Sequence, residues 1–477
     1  MKKLYSIEEA ENFKIDDIWA LYRKYVNNSQ VDLISSFGFG NDTVKKAEGI
    51  YIYTTEGKKI YDFTGGVGVL NHGHNHPRIL RARKKFSESK KMEVHKNYFS
   101  PYIAALSSNI ANLLPSDLNI SYFPNSGAEA VEGAIKMAYK YHDGKRGVIL
   151  HSDISFHGKT IGASNITSSV ETAYYKFQKV LNTDSFKFND IESVKEKINL
   201  HKKNNKSDIY AIITETFSAS SINKCSEKFL RELRKICDQE NIILIFDEIY
   251  SGWCKTGKLF YFMNYENLIP DILTSAKSLG GGKASIACYT CRDHIFKKAY
   301  DNQKDATLHS TTFNGFGEET ITAIEAINII VEEDFEKKSI QIGENICQSL
   351  NNLKKKHNNI ISEVRGSGCL NGIVINTSFA DKYLKPILNI IPIQFLKDET
   401  SIKKIIVASI IFDLYHSYNI LTFYGSNKDI PLKVAPSILA KKEDIDYFEN
   451  SLDQVLSKGL MKLVSNFVSQ KFFSKFK

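Results

Sequence analysis

Charged residues at two places in this sequence could carry out nucleophilic and acid–base chemistry. Lys277 follows the short apolar run ILTSA and precedes three consecutive glycines, Gly280–Gly282. A lysine in such surroundings has a lowered pKa and can form a Schiff base with an aldehyde. Asp247 and Glu248 follow the apolar run NIILIF, where a carboxylate can keep a ring nitrogen protonated or bind a metal ion or a ribose. Taken alone, the lysine is also compatible with a surface position, and the acids with a solvated strand end.

Two further segments offer groups that could hold a ligand. FPNSGAEAVEGAIKMAYKY predicts a turn that opens an amphipathic helix, so free amides of Ser126, Gly127 and Ala128 would point from a helix N-terminus, where phosphate binds readily. The alternative is an ordinary capped helix with Ser126 as its N-cap. In SFHGKT, Phe156 and His157 stand at the end of a predicted strand. An aromatic ring there can lie against a planar ligand, or it can be an ordinary core residue.

Alternating strands and helices must position these residues. From about residue 105 to 330, short apolar runs without polar alternation recur, as in GVILHS, YAIITE and NIILIF. Such runs are typical of strands buried on both faces. Helical patterns such as EKFLRELRKICDQE lie between them. The alternation predicts an α/β fold with a mostly parallel, doubly wound sheet.

The chain divides into three predicted parts. Residues 1–70 form an N-terminal segment that contributes to a small lobe, 71–345 a large domain, and 346–477 a C-terminal small domain. In the first part, GIYIYTTEGKKIYDFTGG predicts a hairpin that turns at Glu56 and Gly57.

The composition is that of an ordinary globular protein. The 477 residues are 42% hydrophobic and 25% charged, which excludes intrinsic disorder and a small disulfide scaffold. The net charge of +9 is spread along the chain, whereas a nucleic-acid-binding protein concentrates its charge on one stripe. The sequence has seven scattered cysteines and a polar start without a secretory signal, and its longest apolar stretch (IIVASIIF) is far short of the ~20 residues of a membrane helix. These features predict a cytoplasmic protein.

Considered jointly, the four features meet the needs of one cofactor. Pyridoxal 5′-phosphate requires a helix N-terminus for its phosphate, an acid for its pyridine nitrogen, an aromatic ring for stacking and a lysine for its aldehyde. The ordered motifs NSGAEA, FHGKT, DEIYSG, AKSLGGG and HSTTFNG closely resemble the class III aminotransferases of fold type I, which include ornithine, putrescine and 4-aminobutyrate transaminases. The likeness extends from Gly49 to Asp446. It implies a mostly parallel large-domain sheet flanked by helices, plus a smaller α+β lobe.

The resemblance implies a role for each matching residue. Lys277 would form the Schiff base and then act as base and acid in the 1,3-proton shift, and Asp247 would keep the pyridine nitrogen protonated. Phe156 and Ile249 would lie on opposite faces of the ring. Thr312 matches a threonine that reaches the phosphate of the neighbouring subunit, which implies a homodimer with shared active sites. The other implied cofactor contacts are Ser126, Gly127, Ala128, His157, Glu215 and Tyr250.

Three positions depart from the family pattern. Glu215 is retained, but Ser220 stands where the resemblance implies a glutamate that gates a substrate-binding arginine. Lys433, in LKVAPSI, replaces that arginine, and Lys255, in GWCKTG, replaces another. A lysine is a mobile point charge rather than a planar fork, so recognition of a carboxylate through two parallel hydrogen bonds is weakened. The departures leave the cofactor chemistry intact and the substrate open, with Ser220 and Lys433 as candidate substrate residues.

Other segments admit two interpretations. The histidines of GVGVLNHGHNHP match the family motif near the substrate entrance; a zinc site is the alternative, and we expect no metal there or at the Cys288/Cys291 pair. The extension 376–404 would either cover the entrance or lie away from it. The basic tail GLMKLVSNFVSQKFFSKFK would be a packed terminal helix, with contact to a membrane surface as the alternative.

The sequence therefore predicts a pyridoxal-phosphate-dependent aminotransferase with a ping-pong mechanism. It would move the amino group of a small primary amine or amino acid, with that amine at the end of its chain, to a keto acid or an aldehyde. No nucleic-acid partner and no membrane span are expected. An aminomutase, racemase or decarboxylase of the same class is one alternative. A non-catalytic cofactor-binding partner protein is another, which the intact Lys277 and Asp247 disfavour.

Overall fold

Strands and helices alternate along the residues that the structure, a computed structural model, describes: 4–168, 178–377 and 399–474. The strands are β1 (Val44–Glu48), β2 (Tyr51–Thr54), β3 (Lys59–Asp62), β4 (Leu118–Tyr122), β5 (Val148–Ser152), β6 (Asn182–Phe186), β7 (Lys202–Lys203), β8 (Lys206–Ser207), β9 (Ile209–Thr214), β10 (Phe217–Ser218), β11 (Asn223–Lys224), β12 (Ile243–Asp247), β13 (Ile272–Ser275), β14 (Cys288–Arg292), β15 (Ile361–Ser367), β16 (Leu370–Ile375), β17 (Ile420–Leu421), β18 (Phe423–Tyr424) and β19 (Leu432–Val434).

The helices follow the same chain order. They are α1 (Ile7–Glu11), α2 (Ile15–Tyr22), α3 (Asn28–Ser36), the single turn α4 (Gly65–Gly68), α5 (Pro77–Glu88), α6 (Pro101–Leu113), α7 (Gly127–Tyr141), α8 (Ile161–Asn165), α9 (Ile191–Leu200), α10 (Glu227–Glu240), α11 (Asp293–Ala299), α12 (Gly317–Glu332), α13 (Phe335–Lys356), α14 (Glu399–Tyr418), α15 (Lys442–Ser457) and α16 (Leu460–Ser474). The predicted helical pattern EKFLRELRKICDQE coincides with α10.

A seven-stranded sheet in the order β4-β14-β13-β12-β9-β5-β6 forms the centre of the molecule. The neighbouring pairs from β13 to β6 are parallel, and only β14 runs against its neighbours β13 and β4. Alternate residues of β12 enter two apolar clusters, with Leu244 and Phe246 in one and Ile243 and Ile245 in the other. A strand covered on both faces needs apolar residues at every position, which explains the runs in the sequence. The predicted α/β fold with a mostly parallel sheet is confirmed.

Helix α7 begins where the sequence predicts. The Oγ of Ser126 accepts a hydrogen bond from the Glu129 amide at 3.3 Å, and the Glu129 carboxylate accepts one from the Ser126 amide at 3.0 Å. This capping box fixes the first turn just after β4. The face that carries Ala130, Val131 and Met137 is buried against the sheet. The helix N-terminus is therefore held at the same edge as the carboxyl ends of the parallel strands.

Two smaller sheets bring distant parts of the chain together. One has the order β1-β2-β3-β17, in which Ile420 of β17 pairs with Tyr61 of β3, and the other has the order β15-β16-β19-β18. The predicted hairpin is present as β2 and β3, with Gly57 at a φ of 84° in the turn between them. Position 345 lies inside the continuous helix α13. The division of the chain at 70 and 345 stays a prediction.

The C-terminal helix α16 packs against α14. Leu463, Val464 and Phe467 are buried, and the Phe467 ring lies 5.5 Å from that of Phe412. The packed helix expected for the tail is confirmed over the part of it that is described. Of the helices in the described ranges, none is long and apolar enough to cross a membrane. Most of the extension predicted at 376–404 falls in 378–398, outside the described residues.

Candidate active site

The carboxyl ends of four neighbouring strands carry the side chains that the sequence singles out. Phe156 and His157 follow β5, and Glu215 follows β9. Asp247 ends β12, and Lys277 comes two residues after β13. Because these strands are parallel, one edge of the sheet holds all five residues. Open α/β sheets bind their ligands at that edge.

A buried hydrogen-bond network holds Asp247. Its Oδ2 lies 2.6 Å from Nδ1 of His157, and its Oδ1 accepts bonds from Oγ1 of Thr274 at 3.0 Å and from the Ile249 amide at 3.1 Å. The residue is 3% exposed. The His157 amide donates in turn to Thr167 Oγ1 at 2.9 Å. Both oxygens of the carboxylate are engaged, so the network fixes its orientation.

Lys277 presents an amine to the open side of the same edge. It begins a 3₁₀ turn with a φ of 50°, which is uncommon for lysine. Its Nζ donates to the Val67 carbonyl at 3.2 Å and lies 4.3 Å from the centroid of the Tyr250 ring. Burial lowers the pKa of Lys277 to about 8, against the opposing charges of Asp247 and Glu215. Such an amine is a better nucleophile near neutral pH than a solvated lysine.

Two buried glutamates lie beside Asp247 and differ in their surroundings. Glu215 accepts bonds from the amides of Phe156 at 3.0 Å and Ala219 at 3.3 Å, and burial raises its pKa to about 7. Glu248 also has a pKa raised by burial. Its oxygens accept bonds from Thr216 Oγ1, Ser251 Oγ and the amides of Tyr261 and Phe262, at 2.7 to 2.8 Å. Glu248 is therefore committed to the loop after β12, whereas Glu215 borders the site.

The start of α7 offers a place for an anion. In the described residues, the amides of Gly127 and Ala128 donate to no other group. The Ser126 amide was predicted to be free as well, and that prediction is wrong because the capping box engages it. A Cβ on Gly127 would come within 3.0 Å of Ile249 Cδ1. A glycine at 127 therefore lets the helix N-terminus and Ile249 approach each other.

The candidate substrate residues lie on the side of the smaller sheets. Lys433, in β19, places its Nζ 5.1 Å from the centroid of the Tyr250 ring. Burial, followed by repulsion from Lys277, lowers the pKa of Lys433 to about 8. Ser220 is buried, and its Oγ lies 3.1 Å from Ser218 Oγ and 3.5 Å from Asn427 Nδ2. Two amines thus lie beside the Tyr250 ring, and Ser220 belongs to a neighbouring hydroxyl cluster.

Thr312 lies on an exposed loop near the start of α7. The Asn125 side chain donates to the Phe313 carbonyl at 3.0 Å, and Lys96 Nζ contacts the Thr311 carbonyl and the Asn314 side chain. These contacts hold the loop while the Thr312 side chain stays exposed.

The amino-acid sequence matches the family model of aminotransferase class-III over residues 40–399. The chain belongs to the class-III aminotransferases. An acetylornithine aminotransferase from Methanocaldococcus jannaschii is 32% identical over 424 residues, which cover 87% of this chain and 93% of that protein. As a member of this family, the protein is a pyridoxal-phosphate-dependent transaminase.

Solved structures share the fold of this aminotransferase. A transaminase from the marine bacterium Virgibacillus superposes with a TM-score of 0.80 at 20% identity, covering 94% of this chain and 100% of that one. The ornithine aminotransferase of Toxoplasma gondii gives a TM-score of 0.78 at 21% identity, covering 95% and 99% of the two chains. At these identities the likeness concerns the fold.

The residues at this edge fit pyridoxal phosphate. The unused amides of Gly127 and Ala128 suit a phosphate, and the fixed carboxylate of Asp247 suits a protonated ring nitrogen. The Lys277 amine suits an aldehyde, and no described ion pair occupies it. The aminotransferase thus has a donor or acceptor for each polar end of the cofactor on one side of the sheet.

Some contributors to this site carry no signal that a single sequence reveals. Thr274 fixes Asp247, and the turn α4 reaches the site from a distant part of the chain. The Val67 carbonyl accepts from Lys277, and the Gly68 carbonyl accepts from Ser278 Oγ at 3.0 Å. The glycine-rich sequence TGGVG is the one local feature that indicates the positive φ angles of that turn.

The histidines after this turn have separate partners. His72 Nε2 lies 2.9 Å from the Ala326 carbonyl, and His74 Nε2 lies 3.0 Å from an Asp62 carboxylate oxygen. His76 Nε2 lies 3.9 Å from Glu333. Their rings thus serve structural contacts with different elements, and within the described residues no group of acids, histidines and cysteines is arranged to hold a metal ion.

Proposed function

We propose that this aminotransferase moves the amino group of a terminal primary amine or amino acid to a keto acid or an aldehyde by a ping-pong mechanism. The observation that carries the proposal is the Lys277 amine, with its lowered pKa, beside the fixed carboxylate of Asp247 at the ligand-binding edge. The name of one relative, an acetylornithine aminotransferase, supports an amine at the end of the substrate chain.

Pyridoxal phosphate, when bound, supplies an electron sink for the carbon that carries the amine. Asp247 would keep a ring nitrogen protonated, and His157 and Thr274 fix the orientation of its oxygens. Lys277 Nζ, once unprotonated, would remove a proton from the substrate carbon that bears the amine and would deliver it to the carbon on the other side of the amine nitrogen. The charges of Asp247 and Glu215 raise the proton affinity of this amine, so that it can also act as the acid.

Binding and orientation fall to the remaining candidate residues. The amides of Gly127 and Ala128 would hold the phosphate, with Ser126 as the cap that positions them. Phe156 and Ile249 would hold the two faces of a planar ring. The candidates that would border this ring or its substituents are His157, Glu215 and Tyr250.

The substrate side supports a weak grip on carboxylates. Lys433 is a single mobile amine whose pKa is lowered to about 8, and Ser220 is uncharged. A guanidinium would instead offer two parallel donors. We therefore propose that one of the two substrates is a neutral or bulky aldehyde or ketone. Its binding would not depend on a carboxylate held by two parallel hydrogen bonds.

We also propose a homodimer in which Thr312 reaches the phosphate of the neighbouring subunit. Large apolar side chains are exposed around that loop, among them Tyr98, Phe99 and Phe313. The Glu93 carbonyl accepts a bond from the Gly317 amide at 3.0 Å, so the segment before Tyr98 lies beside the loop. Exposed apolar groups concentrated in one area favour contact with a second protein surface.

We further propose that the protein works in the cytoplasm. All seven cysteines lie in described residues as free thiols, which supports a reducing compartment.

We also propose that the chain is divided into the parts 1–70, 71–345 and 346–477. The pairing of β3 with β17 supports a lobe shared by the two ends of the chain.

A panel of amines tests the proposed reaction. Purified protein loaded with pyridoxal phosphate is mixed with terminal diamines, ω-amino acids and α-amino acids, and the visible spectrum is followed without an acceptor. We expect terminal amines to convert the cofactor to its amine form and a subsequent aldehyde or keto acid to restore it. No conversion by any amine, or product formation from one substrate alone, would overturn the proposal; the latter would indicate an aminomutase, racemase or decarboxylase.

A further inference from the structure

Three lysine amines lie beside the site without a paired acid. Lys277 and Lys433 place their Nζ atoms 4.3 and 5.1 Å from the centroid of one ring, that of Tyr250. Lys255 is fully buried, and its Nζ donates to two backbone carbonyls at 3.3 and 2.8 Å. In the part of the chain that the structure describes, none of these ammonium groups forms an ion pair with a carboxylate. The nearby acids Asp247 and Glu215 therefore act on Lys277 and Lys433 without a direct ion pair.

Glu215 is the acid whose charge reaches Lys433, yet it is a poor counter-charge. Its two oxygens accept bonds from the amides of Phe156 and Ala219. Burial also raises its pKa to about 7, so that it is partly protonated at neutral pH. Asp247 acts on Lys277 but is itself bound to His157. The charge on Lys433 therefore acts on the amine of Lys277, which lies beside the same tyrosine ring.

We propose that Lys433 is a positioning residue for the catalytic amine: as a cation beside the same Tyr250 ring, without an ion-pair partner in the described residues, it keeps the nitrogen of Lys277 in its unprotonated, nucleophilic form. The inference rests on the proposed role of Lys277. It gives Lys433 a function in the absence of any substrate, beyond recognition of a substrate carboxylate.

The groups that face Lys277 act in opposite directions. Two acids raise its proton affinity, whereas burial and Lys255 lower it. Repulsion from Lys277 lowers the pKa of Lys433, and because repulsion between two charges is mutual, a charged Lys433 also disfavours the charged form of Lys277. Because the Nζ atoms of Lys277 and Lys433 lie 4.3 and 5.1 Å from the same ring centroid, they are less than about 10 Å apart. Two unit charges within about 10 Å interact at an effective dielectric of about 20 strongly enough to move a pKa by about one unit. The charged and titratable groups around this amine are Asp247, Glu215, Lys255, Lys433 and Tyr250.

A pH titration of the substrate-free holoenzyme tests the inference. The nitrogen of Lys277 still carries a titratable proton when the cofactor is attached to it, and the visible absorbance reports that proton. We expect Lys433→Met to raise the midpoint by about one pH unit. Lys433→Arg keeps the charge and should leave the midpoint within about 0.3 unit. Lys283→Met is the matched control, because it removes an exposed lysine a few residues after Lys277.

A second measurement uses the rate at which pyridoxal phosphate attaches to the cofactor-depleted full-length protein at pH 7. Since a rise in pKa from about 8 to about 9 leaves about one tenth as much unprotonated amine at pH 7, Lys433→Met should slow attachment by about tenfold, and Lys433→Arg should not. Lys433→Gln replaces Lys433→Met if the latter does not fold, as judged by circular dichroism.

The outcomes separate this inference from the proposed function. An unchanged or lowered midpoint in both neutral variants, with wild-type attachment rates, would overturn the role of Lys433 alone. If the wild-type protein shows no lysine-bound cofactor that titrates, the role of Lys277 fails and this inference fails with it. An effect of Lys433→Met that appears only after a carboxylate substrate is added would show simple substrate recognition instead.

Discussion

At the scale of single residues, the site is a set of charges whose ionisation depends on burial. Lys277 and Lys433 have pKa values lowered to about 8, and Glu215 has one raised to about 7. In each case desolvation is the largest cause, because a charge loses its hydration at the sheet edge. The fold thus makes the amines and the acid easier to neutralise, which suits proton transfer near neutral pH.

Glu215 gives a prediction about stability and pH. Its pKa rises from 4.5 to about 7 on folding, so the folded state binds the additional proton between those pH values. The free energy of unfolding of the wild-type protein therefore falls, through this group, as pH rises across that window. Glu215→Gln removes the dependence. We expect the unfolding free energy of the variant minus that of the wild type to grow by about 3 kcal/mol from pH 4.5 to 8.

Urea unfolding at several pH values measures this difference. Glu196→Gln, at an exposed acid, is the control and should show a constant difference across the range. A difference for Glu215→Gln that stays constant or shrinks with rising pH would contradict the raised pKa.

At the scale of elements, the turn α4 is the piece that completes the site. Gly68 has a φ of 89°, and a Cβ there would lie 2.8 Å from Cζ of Tyr250. The carbonyls of Val67 and Gly68 accept bonds from the Lys277 segment. A displaced Tyr250 would therefore disturb the environment of both amines.

Gly68→Ala and Gly57→Ala form a matched pair. Both glycines have a positive φ, 89° and 84°, but the space at Gly57 is open. We expect both variants to lose about 1 kcal/mol of stability from backbone strain. Only Gly68→Ala should weaken pyridoxal phosphate binding, by about tenfold or more, because it moves Tyr250. Equal cofactor affinities of the two variants, measured by equilibrium titration, would show that α4 does not shape the site.

Some of the strands and helices can be predicted from the sequence, and others cannot. The Ile- and Val-rich runs of the parallel strands and the cap at Ser126 are local signals, so β5, β9, β12 and α7 are predictable. Strand β13 is short and strand β6 is polar, so neither has a long apolar run that would mark it as a buried strand. The reversed direction of β14 depends on pairing with β4, more than 150 residues away in the chain, which no local pattern encodes.

The same reasoning applies to the site. Motifs identify Lys277, Asp247 and Gly127, because their chemistry depends on residue type and on position at a strand end or helix start. The approach of Lys433 to Tyr250 depends on how the smaller sheets pack on the large one. The engagement of the Ser126 amide depends on the Glu129 rotamer. Such contacts follow from tertiary packing, and a single sequence does not contain them in readable form.

At the scale of the whole molecule, the proposed dimer makes each site depend on two chains. Thr312 is exposed in one chain, although the resemblance gives it a phosphate contact. Loss of its hydroxyl should remove one hydrogen bond to a charged group, so Thr312→Val should weaken pyridoxal phosphate binding by about 10- to 100-fold. Light scattering should show a particle of twice the mass of one chain.

A mixed dimer of Lys277→Ala and Thr312→Val chains tests where Thr312 acts. If the threonine serves the partner's site, the chain that retains Lys277 receives an intact Thr312, and one site per dimer binds the cofactor with wild-type affinity. If the threonine serves its own chain, the site with Lys277 carries the Thr312→Val change and stays weak. Two separately tagged, co-expressed chains allow the mixed dimer to be purified and titrated.

The most direct measurement is the identity of the residue that carries the cofactor. Borohydride reduction of the loaded protein fixes the bond between pyridoxal phosphate and its lysine, and peptide mass spectrometry then locates the added mass. We expect it on Lys277, and we expect Lys277→Ala to lose both the mass and the visible absorbance while Lys283→Ala keeps them. A cofactor found on Lys433 or Lys255 instead, or a protein that takes up none, would contradict the account.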